Sequence, residues 1–175
     1  MFKRILMVWV FSIVGIELAN QYQISQFKTD YKEYKNVTRD MIKTKSIPKE
    51  YILAMIAIHE CINLAPQDAK FIIQASLNRE RLNWGGYGDI YSQILSPEYK
   101  GLIDKNFYFD PRNKKHIQAY ETACQVLKKD VTHHTILGWV HFKNDTDRKF
   151  LNKVKNRCVN LSEKTHHKFW VWKNR

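Results

Sequence analysis

Two apolar segments dominate the pattern of this chain. Ile52-Leu53-Ala54-Met55-Ile56-Ala57-Ile58 runs unbroken to His59-Glu60, and the segment 69–77 ends in Asn78-Arg79. Ser46-Ile47-Pro48-Lys49-Glu50 reads as a helix start, with Ser46 or Ile47 near the cap and Pro48 in the first turn. The helix is predicted over 48–62. Leu53, Ala57, Glu60 and Leu64 follow i, i+4, i+7, i+11 spacing and so share a face, which puts a carboxylate on the apolar side near the helix end. Pro66 opens a second helix, with Asp68 in its first turn where the helix dipole favours an acid. Ala69, Ile72, Ile73, Ser76 and Leu77 form its inner stripe.

Beyond these helices the pattern changes. Trp84-Gly85-Gly86-Tyr87-Gly88 breaks the periodicity and predicts a loop; no strand precedes it and no Lys-Ser/Thr follows, so a phosphate loop is not supported. Ile90 and the residues to Leu95 read as one or two helical turns stopped by Ser96-Pro97, and 96–113 reads as loop-rich, with Gly101, Pro111 and several aromatics. Ile117, Tyr120, Ala123, Cys124 and Leu127 repeat at helical spacing and predict a helix over 114–129. Trp139-Val140-His141-Phe142 and Lys168-Phe169-Trp170-Val171-Trp172 are aromatic and β-branched, hence strand-like. A short helix is expected over 147–154. The sum is a mainly α (α+β) chain with a small strand element.

Composition sharpens this picture at three points. At 175 residues and 44% hydrophobic the chain is long and apolar enough for one domain with a real core. Lys and Arg total 29 against 17 acidic residues, a net +12, which favours a polyanion: nucleic acid, anionic membrane or anionic wall polymer. The lysines are scattered rather than blocked together, as on a cationic exterior. At the start of the chain, Lys3-Arg4 precede an apolar stretch, 5–16, and the small residue Ala19. This reads as a secretory signal, with Glu17 at a position usually held by a small residue; an uncleaved signal anchor and a buried N-terminal helix are the alternatives. The stretch is shorter than the about 20 residues of a spanning helix. The reading is therefore an exported protein, in the periplasm, cell wall or medium. Residues 1–19 form the signal or anchor, 20–46 a polar linker or peripheral helix, and 47–175 the functional domain.

Cys61, Cys124 and Cys158 allow one disulfide plus one free thiol, with the pairing open; Cys61 and Cys124 lie in apolar helical patterns that favour plain buried thiols. No metal or cofactor is expected. CxxC spacing is absent, His59-Glu60 is followed by Asn63 where HExxH needs His, and the pairs His133-His134 and His166-His167 read as loop residues. Glu60 is the candidate for chemistry. A carboxylate on a core-facing helix is costly in its charged form, so it is retained when it is paired or when its raised pKa serves as an acid. Its structural alternative is a buried partner of Arg79 or Lys49.

The order of these segments resembles the spore-cortex-lytic enzyme family of cell-wall hydrolases. The resemblance rests on an apolar helix ending in Glu60, an apolar helix ending in Asn78-Arg79, and Ile90-Tyr91-Ser92-Gln93-Ile94-Leu95. It continues through Tyr120-Glu121-Thr122-Ala123, Trp139-Val140-His141-Phe142-Lys143-Asn144 and Thr165-His166-His167-Lys168-Phe169-Trp170, covering about residues 50–172. No single motif is highly specific; the ordered series carries the weight. The resemblance implies a lysozyme-like fold and cleavage of peptidoglycan glycan strands, of lytic transglycosylase or muramidase type, with Glu60 as the acid/base. The family usually reads Glu-Ala-x-Gly-Glu here, whereas this chain reads Glu60-Cys61-Ile62-Asn63-Leu64, so the second acid is absent.

Glycosidic cleavage needs a protonated leaving oxygen, and two hydrolytic carboxyls would stand about 5–9.5 Å apart. General acid catalysis supplies roughly 10²–10⁴-fold. Asp68, the nearest second acid, is better explained as a helix N-terminal residue, so a single-acid transglycosylase route fits better than hydrolysis. Asn78 orients the acid or hydrogen-bonds an acetamido group of the glycan, or equally caps its own helix end. Tyr91, Gln93, Tyr120, His141 and His166 are candidate cleft residues, each equally explained by packing. The partners expected are peptidoglycan glycan strands and anionic wall polymers. A non-catalytic wall-binding protein on the same scaffold and a basic nucleic-acid-binding protein are the competing readings. The latter is disfavoured by the apparent export signal.

Overall fold

In the computed structural model the described residues are 34–61, 66–83, 86, 88–104 and 106–128, single positions 18, 21, 22 and 25, and the backbones of 136–141 and 167–171. They are mostly helical. A two-residue strand β1 (Asn36–Val37) leads into α1 (Arg39–Lys43), followed by α2 (Lys49–Glu60), α3 (Pro66–Arg81) and α4 (Ile90–Ile94). A 3₁₀ turn (Pro97–Tyr99), α5 (Lys100–Ile103), β2 (Phe107–Tyr108), α6 (Lys114–Lys128), β3 (Ile136–His141) and β4 (His167–Val171) complete the order.

Helix α2 is the hub. The expectation was one apolar face, but every residue of 51–57 is 0% exposed, two turns buried on all sides. The cause is tertiary: α6, α3 and α4 all pack against it. Its start also differs from expectation. Pro48 is the cap rather than a first-turn residue, while the Ser46 hydroxyl donates to the Met41 carbonyl at 3.3 Å. Proline suits that place because it has no backbone N–H to leave unsatisfied.

The short elements are set by caps. Thr38 Oγ1 accepts the Met41 N–H at 3.3 Å to start α1, and Asp89 Oδ1 accepts the Ser92 N–H at 2.8 Å to start α4. Before α4 the chain turns through Asn83 (φ 47°), Gly86 (φ 76°) and Gly88 (φ 73°), and the Gly88 N–H donates to Asn83 Oδ1 at 2.9 Å. The two glycines adopt a backbone that side chains disfavour, which is why the glycine-rich break falls here.

Three expectations need correction or extension. The stretch 96–113 is not simply loop: it holds the 3₁₀ turn, α5 and β2, and buries Tyr99, Ile103 and Phe109. Elements this short leave no periodic trace in a window of about eleven residues. In α6 the buried stripe is Ala119, Tyr120, Ala123 and Val126, and Leu127 is 38% exposed. The stripe is therefore rotated toward 119, 123 and 126, which share a face at i, i+4, i+7. The packed unit also takes in Val37 and Ile42 from within 20–46, with Tyr34 against them.

Strands β1 and β2 pair antiparallel, Asn36 with Tyr108 and Val37 with Phe107. The two strand-like aromatic segments do form strands. β3 and β4 pair antiparallel from Ile136 with Val171 to His141 with His167, and β3 packs along α3. Between Ile136 and Gly138 the register shifts by the one extra residue of a bulge. The apolar stretch 5–16, the expected helix 147–154, Cys158 and His166 lie outside the described residues. No helix among the described residues is long and apolar enough to cross a membrane.

Candidate functional site

Glu60 is the last residue of α2. The helix stops because Cys61 turns extended (φ −102°, ψ 91°), although its N–H still reaches the Ala57 carbonyl at 2.9 Å. Leu53 and Ala57, which share its face, are fully buried, and Glu60 itself is half-buried. The carboxylate thus stands at the rim of the core, with an apolar floor beneath it and solvent within reach.

Its surroundings carry both signs of charge. Cys61 follows directly and is 3% exposed; burial, then the charges of Asp68 and Glu60, push its thiol up to about 12. Asp68, in the first turn of α3, is itself 1% exposed. Tyr99 arrives from the 3₁₀ turn with its ring 6.0 Å from that of His59. Burial and then the charge of Glu60 push the Tyr99 hydroxyl up, Arg79 pulls it down, and Glu98 adds to the rise. Arg79 Nη1 lies 3.7 Å from Glu98 Oε2. No periodic pattern in the sequence points to Tyr99 or Glu98, because Ser96-Pro97 reads as a stop. Proline opening a new turn was the available signal.

The other expected cleft residues belong to the fold's interior bonding. Tyr91 donates its hydroxyl to the Ile47 carbonyl at 3.0 Å, with Lys45 Nζ 5.8 Å from its ring centre. Gln93 is buried and donates Nε2–H to the Ser76 carbonyl at 3.1 Å, tying α4 to α3. Tyr120 is buried with its ring 4.9 Å from Tyr51, and its hydroxyl is hydrogen-bonded to the Cys124 sulfur. Asn78 is buried inside α3, which continues to Arg81, so it does not end its helix.

Tyr91 and Tyr120 sit toward the end of α2 away from Glu60. Lys49, the first residue of α2, pairs with Glu80 near the last turn of α3, so the two helices run antiparallel. Lys49 and Glu60 are separated by about 16 Å of helix axis. Ile47 and Tyr51, which hold Tyr91 and Tyr120, belong to the Lys49 end. His141 lies in β3 opposite His167, and His166 is outside the described residues. The structure therefore places Cys61, Asp68 and Tyr99 about Glu60, with the Arg79–Glu98 pair acting on Tyr99, rather than the expected set.

Among the described residues no group of three or more His, Cys, Asp or Glu is placed to hold a metal ion. No protein family, curated protein or solved structure matches this chain.

Proposed function

We propose that the chain is an exported, lysozyme-like enzyme that cleaves peptidoglycan glycan strands, with Glu60 as acid and then base. One observation carries the reading: a half-buried carboxylate closes a helix whose residues 51–57 are fully buried, and its charge acts on the buried Tyr99. The ordered series of segments that resembles the spore-cortex-lytic family supports it, and so does the net charge of +12, which would hold the protein on anionic wall polymer.

The single-acid route fits this geometry better than hydrolysis. Water activation needs a second carboxylate facing the substrate, and Asp68, 1% exposed, does not face solvent. In the proposed reaction Glu60 donates its proton to the glycosidic oxygen as the C–O bond breaks. The resulting carboxylate then takes the proton from the sugar's own hydroxyl as that oxygen closes on the anomeric carbon. No water is consumed and an anhydro-sugar end results.

The test is digestion of purified peptidoglycan by the full chain and by Glu60→Gln, with product masses recorded. Anhydro ends from the parent and a loss of about 10²-fold or more in the variant are expected; equal clearing by both removes the acid role. A second reading, a non-catalytic wall-binding protein, is favoured by Leu64 in place of the second acid and by the engagement of Tyr91, Gln93 and Tyr120 in the fold. Sedimentation with intact walls without any released muropeptide would support that reading.

A further inference from the structure

The corner between β2 and α6 is built on a hydrogen bond that only a neutral histidine can accept. His116, in the first turn of α6, takes the Asp110 backbone N–H on Nδ1 at 2.9 Å. Its proton must therefore reside on Nε2, since an imidazolium has no acceptor nitrogen. The ring is half-buried against a pair of phenylalanines, 5.8 Å from Phe107 and 5.9 Å from Phe109, which lie 4.8 Å from each other. Phe107 belongs to β2 and pairs with Val37 of β1. Phe109 is 0% exposed and meets Tyr51 of α2 edge-on at 5.2 Å, so it wedges the corner into the hub of the fold. The Phe109 N–H in turn donates to the Lys35 carbonyl at 3.2 Å, which carries the connection back to the approach to β1.

We propose that His116 is an acid-sensitive latch: neutral, it seats the β1–β2 ribbon and Phe109 against α2 and α6, and protonation releases the Asp110 N–H and loosens that corner. The cost of protonation is local and twofold. The part-buried N–H loses its acceptor, and a charge appears in a site half withdrawn from water.

The charged groups around the imidazole do not cancel that cost. On the loop, the Asp110 carboxylate favours the cation, but it is engaged by the Arg112 N–H at 2.9 Å and Arg112 Nε at 3.3 Å. On the ribbon, Lys35 lies over the exposed Tyr108 ring, the strand face opposite Phe107. On its own helix, Lys114 and Lys115 are exposed cations, which disfavour a further positive charge. From α2, Glu50 acts on Tyr120 and Cys124, further along α6. Burial, opposed by Asp110, accordingly holds the His116 pKa below its ordinary value of 6.5.

The sign follows. A histidine whose folded-state pKa is depressed contributes stability in full above the ordinary value and loses it as pH falls through the folded one. Between those two values the opening equilibrium of the corner shifts by up to about tenfold per pH unit.

The experiment uses the full chain and its His116→Gln variant, whose side chain carries an acceptor oxygen but cannot titrate. Exchange of the Asp110 and Phe109 amides is followed from pH 7.5 to 5 and corrected for intrinsic exchange. Parallel ¹⁵N spectra of the imidazole report tautomer and titration in the parent alone. Expected are an Nε2–H tautomer titrating below 6.5, faster exchange of both amides in the parent as pH falls, and a flat profile in the variant. An Nδ1–H tautomer, titration at or above 6.5, or the same pH profile in both proteins would overturn the latch. This inference stands apart from the proposed glycan chemistry.

Discussion

At Cys61 burial and charge act in one direction. Water is excluded from the sulfur, and the neighbouring carboxylates of Asp68 and Glu60 oppose a second negative charge, so the thiol is pushed up to about 12. At pH 8 only roughly one thiol in ten thousand is then ionised, and the thiolate is the reactive form. Cys61 should remain unmodified by iodoacetamide in the native protein at pH 8 and react at once in denaturant, as peptide mass mapping would record. Cys124, half-buried and pushed up to about 11 by burial, should follow more readily. Both are free thiols, and their burial was legible in the apolar pattern around them. The company kept by Glu60 was not: Tyr99 reaches it from a segment far along the chain, whose single-turn helical fragments are too short to leave a periodic trace.

At the scale of elements, α4 depends most on one residue. Five residues make too short a helix to hold itself, and Asp89 supplies its cap while pairing with Lys45 Nζ at 2.6 Å. Burial pushes the Asp89 carboxyl up, but hydrogen bonds from Lys45 and Ser92 together with the Lys45 charge outweigh it and bring it down to about 2. Its contribution is complete above the ordinary 3.8 and is lost as pH falls through about 2. Asp89→Ala should cost about 1 kcal/mol in urea unfolding at pH 7. Asp89→Asn, which keeps the cap and loses the charge, should cost less; an equal cost would assign the effect to the ion pair. The Asp89 cap and the Ser96-Pro97 stop are local signals, which is why α4 is visible in the sequence. The ribbon of β1 and β2, two residues from each side, owes its existence to partners such as Tyr51 and His116, so no local pattern announces it.

For the whole molecule, α2 decides stability. A residue such as Ile56, 0% exposed in a helix enclosed by α6, α3 and α4, has no solvent-facing side toward which neighbours can relax. Ile56→Ala should therefore cost about 2–5 kcal/mol, read as a lower urea midpoint with unchanged slope. A cost below 1 kcal/mol would mean that the helix is less enclosed than described. The same enclosure explains the fate of the expected cleft residues: Tyr91, Gln93 and Tyr120 are drawn into hydrogen bonds and ring contacts around α2.

By itself the sequence determined a mainly helical chain, two long apolar helices, two aromatic strand segments and a carboxylate at the end of the more apolar helix. Each of these is a local property, readable from periodicity, caps and β-propensity within one segment. Only the tertiary structure decided that residues 51–57 of α2 are enclosed on all sides, that α6 turns Val126 inward in place of Leu127, and that the two aromatic strands pair with each other. Those outcomes depend on how elements meet, and one chain read in order carries no record of the angle or the end at which they do.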